Sequence, residues 1–276
     1  MRFDRGLIVL SSLIVIALAS ACSSGPKVDP EVEAAWAALT EMKENVDGLR
    51  TELRELEAKM MAAAEEEAEG GDAEDAEQPA GGEGASEAIE SAEEMAVRAG
   101  KLAEDIAKLA DDFNGKLAAF LNAPANQIIE GEPLTERQAA AIGMKSSEDI
   151  ELAVEYIEKG GDHRRAIDIL RVALQLDPDN AAIQAALEEA KANRFLSEER
   201  FALAKKGMTQ EEVRNALGQV NLRNIRQFEE RGVVAWFYAT EEGGPAAAVW
   251  FQKDKKSGML KAYQLKYDAV GGRDSK

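Results

Sequence analysis

The side chains that most often carry out protein chemistry are scarce in this sequence. Its 276 residues contain one histidine, His163, and one cysteine, Cys22. No second histidine or thiol exists to complete a zinc site or a nucleophile–base pair. No Gly-rich phosphate-binding loop is present, and acidic pairs such as Glu211-Glu212 are interpreted as solvated helix faces. The sequence therefore predicts a protein that is not an enzyme and that uses no metal or cofactor.

Cys22 follows a segment with the layout of a secretory signal. Arg2 and Arg5 precede an apolar run from Leu7 to Ala21, and small residues stand directly before the cysteine. The run is too short, and too interrupted by serine, to cross a bilayer of about 30 Å as a stable helix. We therefore expect residues 1–21 to be removed as a signal peptide.

The stretch Leu18-Ala-Ser-Ala-Cys22 resembles the lipobox of bacterial lipoproteins, with Ala19 where leucine is more usual. The resemblance implies an acylated Cys22, a lipidated tether over residues 22–29 and, because Ser23 follows, an anchor in the outer membrane facing the periplasm. Each buried methylene of an acyl chain contributes about 0.8 kcal/mol to membrane binding, so two or more acyl chains hold a protein durably in the membrane. The alternative is an ordinary cleaved signal with an incidental cysteine.

Composition and charge favour a mainly helical chain with one small aromatic-rich part. Only 5% of the residues are aromatic, and the net charge is −19. Residues 65–90 carry eleven acidic and no basic side chains, whereas residues 195–276 carry fourteen basic and eleven acidic ones. Because the chain as a whole is acidic, nucleic acid is not expected as a partner.

A long helix is predicted over residues 30–64. Apolar side chains recur there with coiled-coil 4-3 spacing, at Val32, Ala35, Leu39, Met42, Val46, Leu49, Leu53, Leu56, Met60 and Ala63. A stripe this narrow would bury little apolar surface if the helix stood alone. We therefore expect self-association as a dimer or trimer, or pairing with the next helix. As a stalk it would reach roughly 50 Å.

Three further segments follow the predicted stalk. Residues 65–87 are acidic and rich in glycine, which predicts a disordered linker. Residues 88–122 regain helical periodicity and are interpreted as an amphipathic helix, a candidate antiparallel partner of the first. Residues 123–146 are interpreted as a loop and short helix.

Residues 147–195 resemble a tetratricopeptide repeat followed by one more helix, which is either the first half of another repeat or a cap. Ala166 and Ala173 allow paired helices to approach, Leu170 fills the space between them, and Pro178 ends the second helix. His163 stands where the repeat usually has an aromatic residue, so a packing role is expected for it. One repeat is too short for a large concave groove, so the unit is expected to dock on its neighbours.

The C-terminal domain, residues 196–270 with a tail over 271–276, is predicted to be α+β. Thr209 and Glu212 have capping-box spacing at the start of a helix, and a second helix is expected before it, over residues 197–206. Alternating apolar residues predict three antiparallel strands, over 233–238, 246–251 and 260–267, and residues 222–229 are a candidate fourth.

This domain resembles the BamE family (SmpA/OmlA domain), lipoproteins of the outer-membrane β-barrel assembly machine. The resemblance rests on the run Gly207-Met-Thr-x-x-x-Val213-x-x-x-Leu217-Gly218, on the aromatic strand at 236–238 and on Phe251, with Val220 where that family usually has proline. It implies a role in assembling envelope proteins, with barrel-assembly components as candidate partners.

Aromatic strand residues are the candidate protein-binding side chains. We single out Trp236, Tyr238, Trp250 and Tyr263. Only one face of each strand can pack on the helices, so one aromatic set is expected to remain accessible, with Phe237 opposite Trp236 and Tyr238.

The sequence as a whole favours a lipid-anchored periplasmic adaptor, in which tethering raises the effective concentration of bound envelope proteins. Two alternatives stay open. One is a structural envelope lipoprotein that self-associates through its stalk, and the other is an inhibitor-type module that fills a cleft of another protein.

Overall fold

The structure is a computed structural model that describes residues 29–69, 91–129, 132–243, 246–255 and 257–269. Within these ranges, the side chains of residues 64–69 are not described. The predicted signal peptide, Cys22 with most of its tether, residues 70–87 of the predicted linker and the C-terminal tail lie outside the described residues. The described part is mainly helical and ends in a four-stranded antiparallel sheet, which confirms the predicted combination of α and α+β parts.

The first two helices form an antiparallel hairpin. Helix α1 spans Pro30–Glu69, continuing into the segment predicted as a linker, and α2 spans Ala92–Asn122. Their direction follows from the contacts, because Trp36 stacks near Phe120 with ring centroids 5.5 Å apart and Glu52 pairs with Arg98 at 2.5 Å. The C-terminal end of α2 therefore lies beside the N-terminal end of α1.

The predicted apolar stripe of α1 packs on α2. Leu39 and Val46 are fully buried and share one core cluster with Phe113, Leu117 and other α2 residues. Of the two partners predicted for this stripe, the described residues place the next helix on it. Because α2 runs back along α1, the chain leaves the hairpin near the end at which it entered. The length of α1 therefore does not set the distance between residue 30 and the rest of the chain.

Helix α3 differs from the prediction for residues 123–146. A short 3-10 turn at Pro124–Asn126 is followed by an α-helix of 23 residues, Glu136–Glu158, which runs across the predicted boundary at 147. Thr135 and Gln138 close a capping box at its start, and Ala141 packs into the hairpin core. The helix is long because the hairpin gives its first half a surface to pack against.

A buried ion pair attaches α3 to α1. The Glu148 side chain is almost completely buried and accepts two hydrogen bonds from the Arg50 guanidinium, at 2.7 and 2.9 Å. The Lys43 ammonium lies 3.5 Å from the same carboxylate. Burial alone would lower the pKa of Arg50, but the hydrogen bond and charge of Glu148 raise it above its ordinary value. The buried carboxylate is therefore paired with two cationic side chains of α1.

Helices α4 (His163–Leu176) and α5 (Ala181–Ala192) pack on the second half of α3. The small Ala153, Ala166 and Ala173 are buried at the contacts, with Leu170 and Ile183 between them. Side-chain oxygens of the N-cap residues Asp162 and Asn180 accept backbone hydrogen bonds at the two helix starts. We call α3, α4 and α5 the helical unit.

The C-terminal module contains two short helices and the sheet. Helix α6 covers only Glu198–Phe201, whereas a helix over 197–206 was predicted, and α7 covers Gln210–Leu217. The strands, ordered β1-β2-β3-β4 in the sheet, are Ile225–Phe228, Val233–Ala239, Ala246–Lys253 and Leu260–Ala269. The predicted capping box at Thr209 and Glu212 is present, and the candidate fourth strand is β1.

Backbone contact joins the module to the helical unit. Gly161, in the turn between α3 and α4, is buried and has a φ of +61°. A Cβ at this position would lie 2.5 Å from the backbone carbon of Val220 and 2.6 Å from the backbone nitrogen of Asn221. The next residue, Leu222, donates its N–H to the Gly160 carbonyl at 3.1 Å. Only glycine fits here, because of both the left-handed backbone and the close approach.

Candidate functional site

One face of the sheet forms the core of the C-terminal module. Antiparallel register places Trp236 opposite Val249, and Tyr238 opposite Ala247, on the face toward α6 and α7. Trp236 is 3% exposed and Tyr238 donates its hydroxyl hydrogen to the Gly218 carbonyl at 3.3 Å. Burial raises the pKa of Tyr238 above its ordinary value, so the phenol stays protonated. These two predicted binding residues are core residues.

The opposite face of the sheet carries a second aromatic set. Phe237 and Trp250 lie there, half-buried, with their rings edge to face and centroids 6.2 Å apart. The register adds Phe228 from β1, opposite Val233. Tyr263 of β4 stands at a register shift beside Trp250, between the inward-facing Ala262 and Leu265, and is 41% exposed. We call Phe228, Phe237, Trp250 and Tyr263 the outward aromatic face.

The core cluster takes its sheet residues only from the inward face. On the outward side, the small Ala235 and Ala248 are fully buried, Ala235 opposite Trp250 and Ala248 opposite Phe237. Among the described residues, the predicted candidates Trp250 and Tyr263 are thus brought to one surface, while Trp236 and Tyr238 are not.

Basic side chains accompany the outward aromatic face. The pairing register places Arg226 on it from β1, and Lys261 and Lys266 from β4. Its other paired polar positions are the uncharged Gln252 and Gln264, and the one carboxylate of β4, Asp268, stands unpaired at the second register shift of that strand. The module therefore presents a cationic, aromatic surface on a chain whose net charge is −19.

His163 lies at the junction of the helical unit and the module. Burial lowers its pKa, a hydrogen bond with the Ala190 backbone partly offsets this, and the charge of Arg200 lowers it further. Its buried Nδ1 has no hydrogen-bond partner in the described part of the chain. His163 is thus half-buried between the two units and belongs to the core cluster of neither, and it is the only histidine in the sequence.

Neither a metal site nor a membrane-spanning helix emerges from the described ranges. No group of three or more histidine, cysteine, aspartate or glutamate side chains there has a geometry that could hold a metal ion. Within the same ranges, no helix combines the length and apolarity needed to cross a bilayer. Cys22, the predicted lipid-attachment residue, lies outside them.

Sequence reasoning missed part of the outward face. Phe228 was read only as part of a candidate strand, and the basic residues Arg226, Lys261 and Lys266 were not singled out. Their signal was the period of two, since Arg226 is two residues from Phe228, Lys261 is two from Tyr263, and Lys266 is two from Gln264, which pairs with Trp250. That signal becomes usable only once the register is known.

Comparison with known proteins identifies no relative. No protein-family model, no curated protein and no solved structure matches the chain.

Proposed function

We propose that the chain is a lipid-anchored adaptor of the bacterial cell envelope that binds a partner protein through the outward aromatic face. One observation carries the proposal, namely that four aromatic and three basic side chains share the sheet face opposite the core cluster that packs on α6 and α7. Acylated Cys22 would supply the anchor, and residues 22–29 the tether.

The chemistry of the face indicates the kind of partner. Aromatic and arginine side chains dominate the binding energy of protein interfaces, usually from the centre of the patch. Trp250 has that position, with Phe237 beside it and small alanines at its base. The surrounding Arg226, Lys261 and Lys266 favour a partner with an apolar centre and an acidic rim, which would associate faster at low salt.

The sequence resemblance to the BamE family motivates the choice among envelope partners. It suggests components that assemble outer-membrane β-barrels. The adaptor would bring a client and an assembly component together without making or breaking covalent bonds, because a shared tether raises their effective concentration.

Site-specific photo-crosslinking in the native envelope tests the proposal. A benzophenone amino acid would replace Tyr263, and the matched control would replace Tyr156, a tyrosine of α3 that is 36% exposed against 41% for Tyr263. We expect adducts with one identified envelope protein from position 263 and none from position 156. Trp250→Ala should weaken binding of that purified protein at least ten-fold, the loss expected for a central aromatic residue.

The other outcomes point to the alternatives. Adducts of the chain with itself alone would favour a structural envelope protein, and adducts with a soluble enzyme would favour an inhibitor-type module. Equal adducts from positions 263 and 156 would contradict the outward face as the binding surface. The anchor is tested separately, since Cys22→Ser should abolish incorporation of labelled palmitate and release the chain from membranes.

A further inference from the structure

A cleft of about 440 Å³ lies where the helical unit meets the C-terminal module. Helices α3, α4 and α5 form one wall, and residues of α6 and α7 form the other. None of the four rings of the outward aromatic face lines this cleft. The volume falls within the range of about 300–1,000 Å³ that small-molecule sites occupy.

The floor of the cleft is apolar. Ala153, Leu170 and Ala190 line it and are almost completely buried, and Ile157 and Ala186 border them. Three of these five residues are alanine, so the helices keep space between them that larger side chains would fill. A hydrocarbon group that entered this space would lose its contact with water, at about 25 cal/mol per Å² of apolar surface.

Two arginines line the wall formed by the module. The Arg200 guanidinium donates only to uncharged oxygens, the Asn193 amide at 3.3 Å and the Ala216 carbonyl at 3.5 Å. The Arg214 guanidinium lies over the Trp236 ring, 5.9 Å from its centroid. In the described part of the chain, no carboxylate lies within 4.0 Å of either guanidinium. Both retain capacity for a charged acceptor.

The remaining polar groups orient a ligand. Glu158 and Glu189 border the cleft from the helical unit, opposite the arginines, and would repel an anion. Any negative group is therefore directed to the Arg200 and Arg214 wall. The charges of Arg200 and Arg214 are balanced by those of Glu158 and Glu189, so the cleft has little excess positive charge. A ligand with one negative charge is therefore favoured over a ligand with two. The orphaned Nδ1 of His163, which lines the same cleft, can accept a hydrogen bond from a ligand hydroxyl or from water.

We propose that this cleft is a binding site for a small monocarboxylate with a hydrocarbon body, such as a medium-chain fatty acid. The carboxylate accepts hydrogen bonds from the guanidinium groups of Arg200 and Arg214, and the hydrocarbon body lies on the alanine-lined floor. The ligand touches both the helical unit and the module, so its binding stabilises their contact.

Calorimetric titration of the full chain tests the site, with decanoate below its micellar concentration, decan-1-ol and decyltrimethylammonium as probes. We expect one saturable decanoate site, with decan-1-ol binding at least ten-fold more weakly and the cation more weakly still. Arg200→Gln and Arg214→Gln should each weaken decanoate binding about ten-fold, because each removes charge-assisted hydrogen bonds. Binding of decan-1-ol should not change.

Matched controls separate binding from folding. Arg171→Gln, an exposed α4 position outside the cleft, should leave decanoate binding unchanged. Ala186→Leu should abolish binding of all three probes by filling the floor, while thermal unfolding verifies that the variant folds. The proposal is overturned if decanoate and decan-1-ol bind equally, if decanoate does not saturate by about 1 mM, or if its binding survives Ala186→Leu. Decyl phosphate binding more tightly than decanoate would overturn the assignment of a monoanion.

Discussion

At the scale of single residues, Glu148 is a buried carboxylate that pairs with Arg50. Its partner Arg50 is largely buried, so removing one charge leaves the other uncompensated in a low-dielectric environment. We expect Glu148→Gln to lower the free energy of unfolding by about 3 kcal/mol, measured by urea denaturation.

The exposed pair of Glu52 and Arg98 provides the control for that prediction. Glu52→Gln should cost about 0.5 kcal/mol or less, because solvent screens this pair. Replacing both Arg50 and Glu148 with methionine should restore part of the stability that Glu148→Gln removes. Equal losses from Glu52→Gln and Glu148→Gln would contradict the structural account of Glu148.

His163 predicts a pH dependence of stability. Burial lowers its pKa in the folded chain, and the neighbouring Arg200 and Arg194 oppose protonation while Asp162 favours it. Below the unfolded value of about 6.5 the unfolded chain therefore binds more protons. The stability that His163 contributes is present above that pH and is lost as the pH falls through the folded pKa.

Urea denaturation at pH 7.5 and 5.5 tests this dependence. The free energy of unfolding should fall between the two pH values, and His163→Gln should flatten the fall, since no other histidine exists in the chain. A free energy of unfolding that stays constant, or rises, toward pH 5.5 would show that the histidine is not buried as a neutral ring.

At the scale of elements, the α1–α2 hairpin should be stable without a second chain. Phe113 is fully buried in the seam between the two helices, and Phe113→Ala should cost about 3–5 kcal/mol. The matched control is Val97→Ala, because Val97 of α2 is exposed and its truncation should be nearly neutral.

Protein concentration distinguishes this hairpin from a self-associated stalk. The melting temperature should stay constant over a hundred-fold range of concentration, because the partner helix belongs to the same chain. A melting temperature that rises with concentration would indicate a multi-chain stalk instead.

Elements set by local patterns could be predicted from the sequence, and those set by distant contacts could not. The strands and the Thr209 capping box followed from alternation and spacing over a few residues. Helix α3 was missed in part because its first half packs on the hairpin, where Ala141 shares a core cluster with Leu39 and Phe113 from distant parts of the sequence. Helix α6 ends early because the chain turns to pair with β4, where Gly207 donates to the Ala262 carbonyl at 2.7 Å.

The candidate surface was predictable to a similar extent. The alternation indicated that Phe237 lies opposite Trp236 and Tyr238, but which set would be buried depends on where α6 and α7 pack. The joint cleft was not predictable, because it exists only between two units whose contact is made by backbone rather than by a sequence motif.

At the scale of the whole molecule, Gly161 should determine whether the helical unit and the module unfold together. A Cβ there would meet three backbone atoms at 2.5–2.6 Å, which no side-chain rearrangement relieves. We expect Gly161→Ala to cost more than about 2 kcal/mol and to split one calorimetric transition into two. Gly48→Ala is the control, because open space surrounds that position in α1 and the change should stabilise the helix by about 0.5–1 kcal/mol.

The close backbone approach at Gly161 also limits how the sheet can move relative to the helical unit. A contact between two backbone segments with no side chain between them leaves the sheet little freedom to rotate against the helical unit. Glu148 attaches α3 to α1 near the middle of α3. A protein bound to the sheet would therefore keep one orientation relative to the hairpin. The molecule would then fix the angle of that protein as well as its distance from the hairpin.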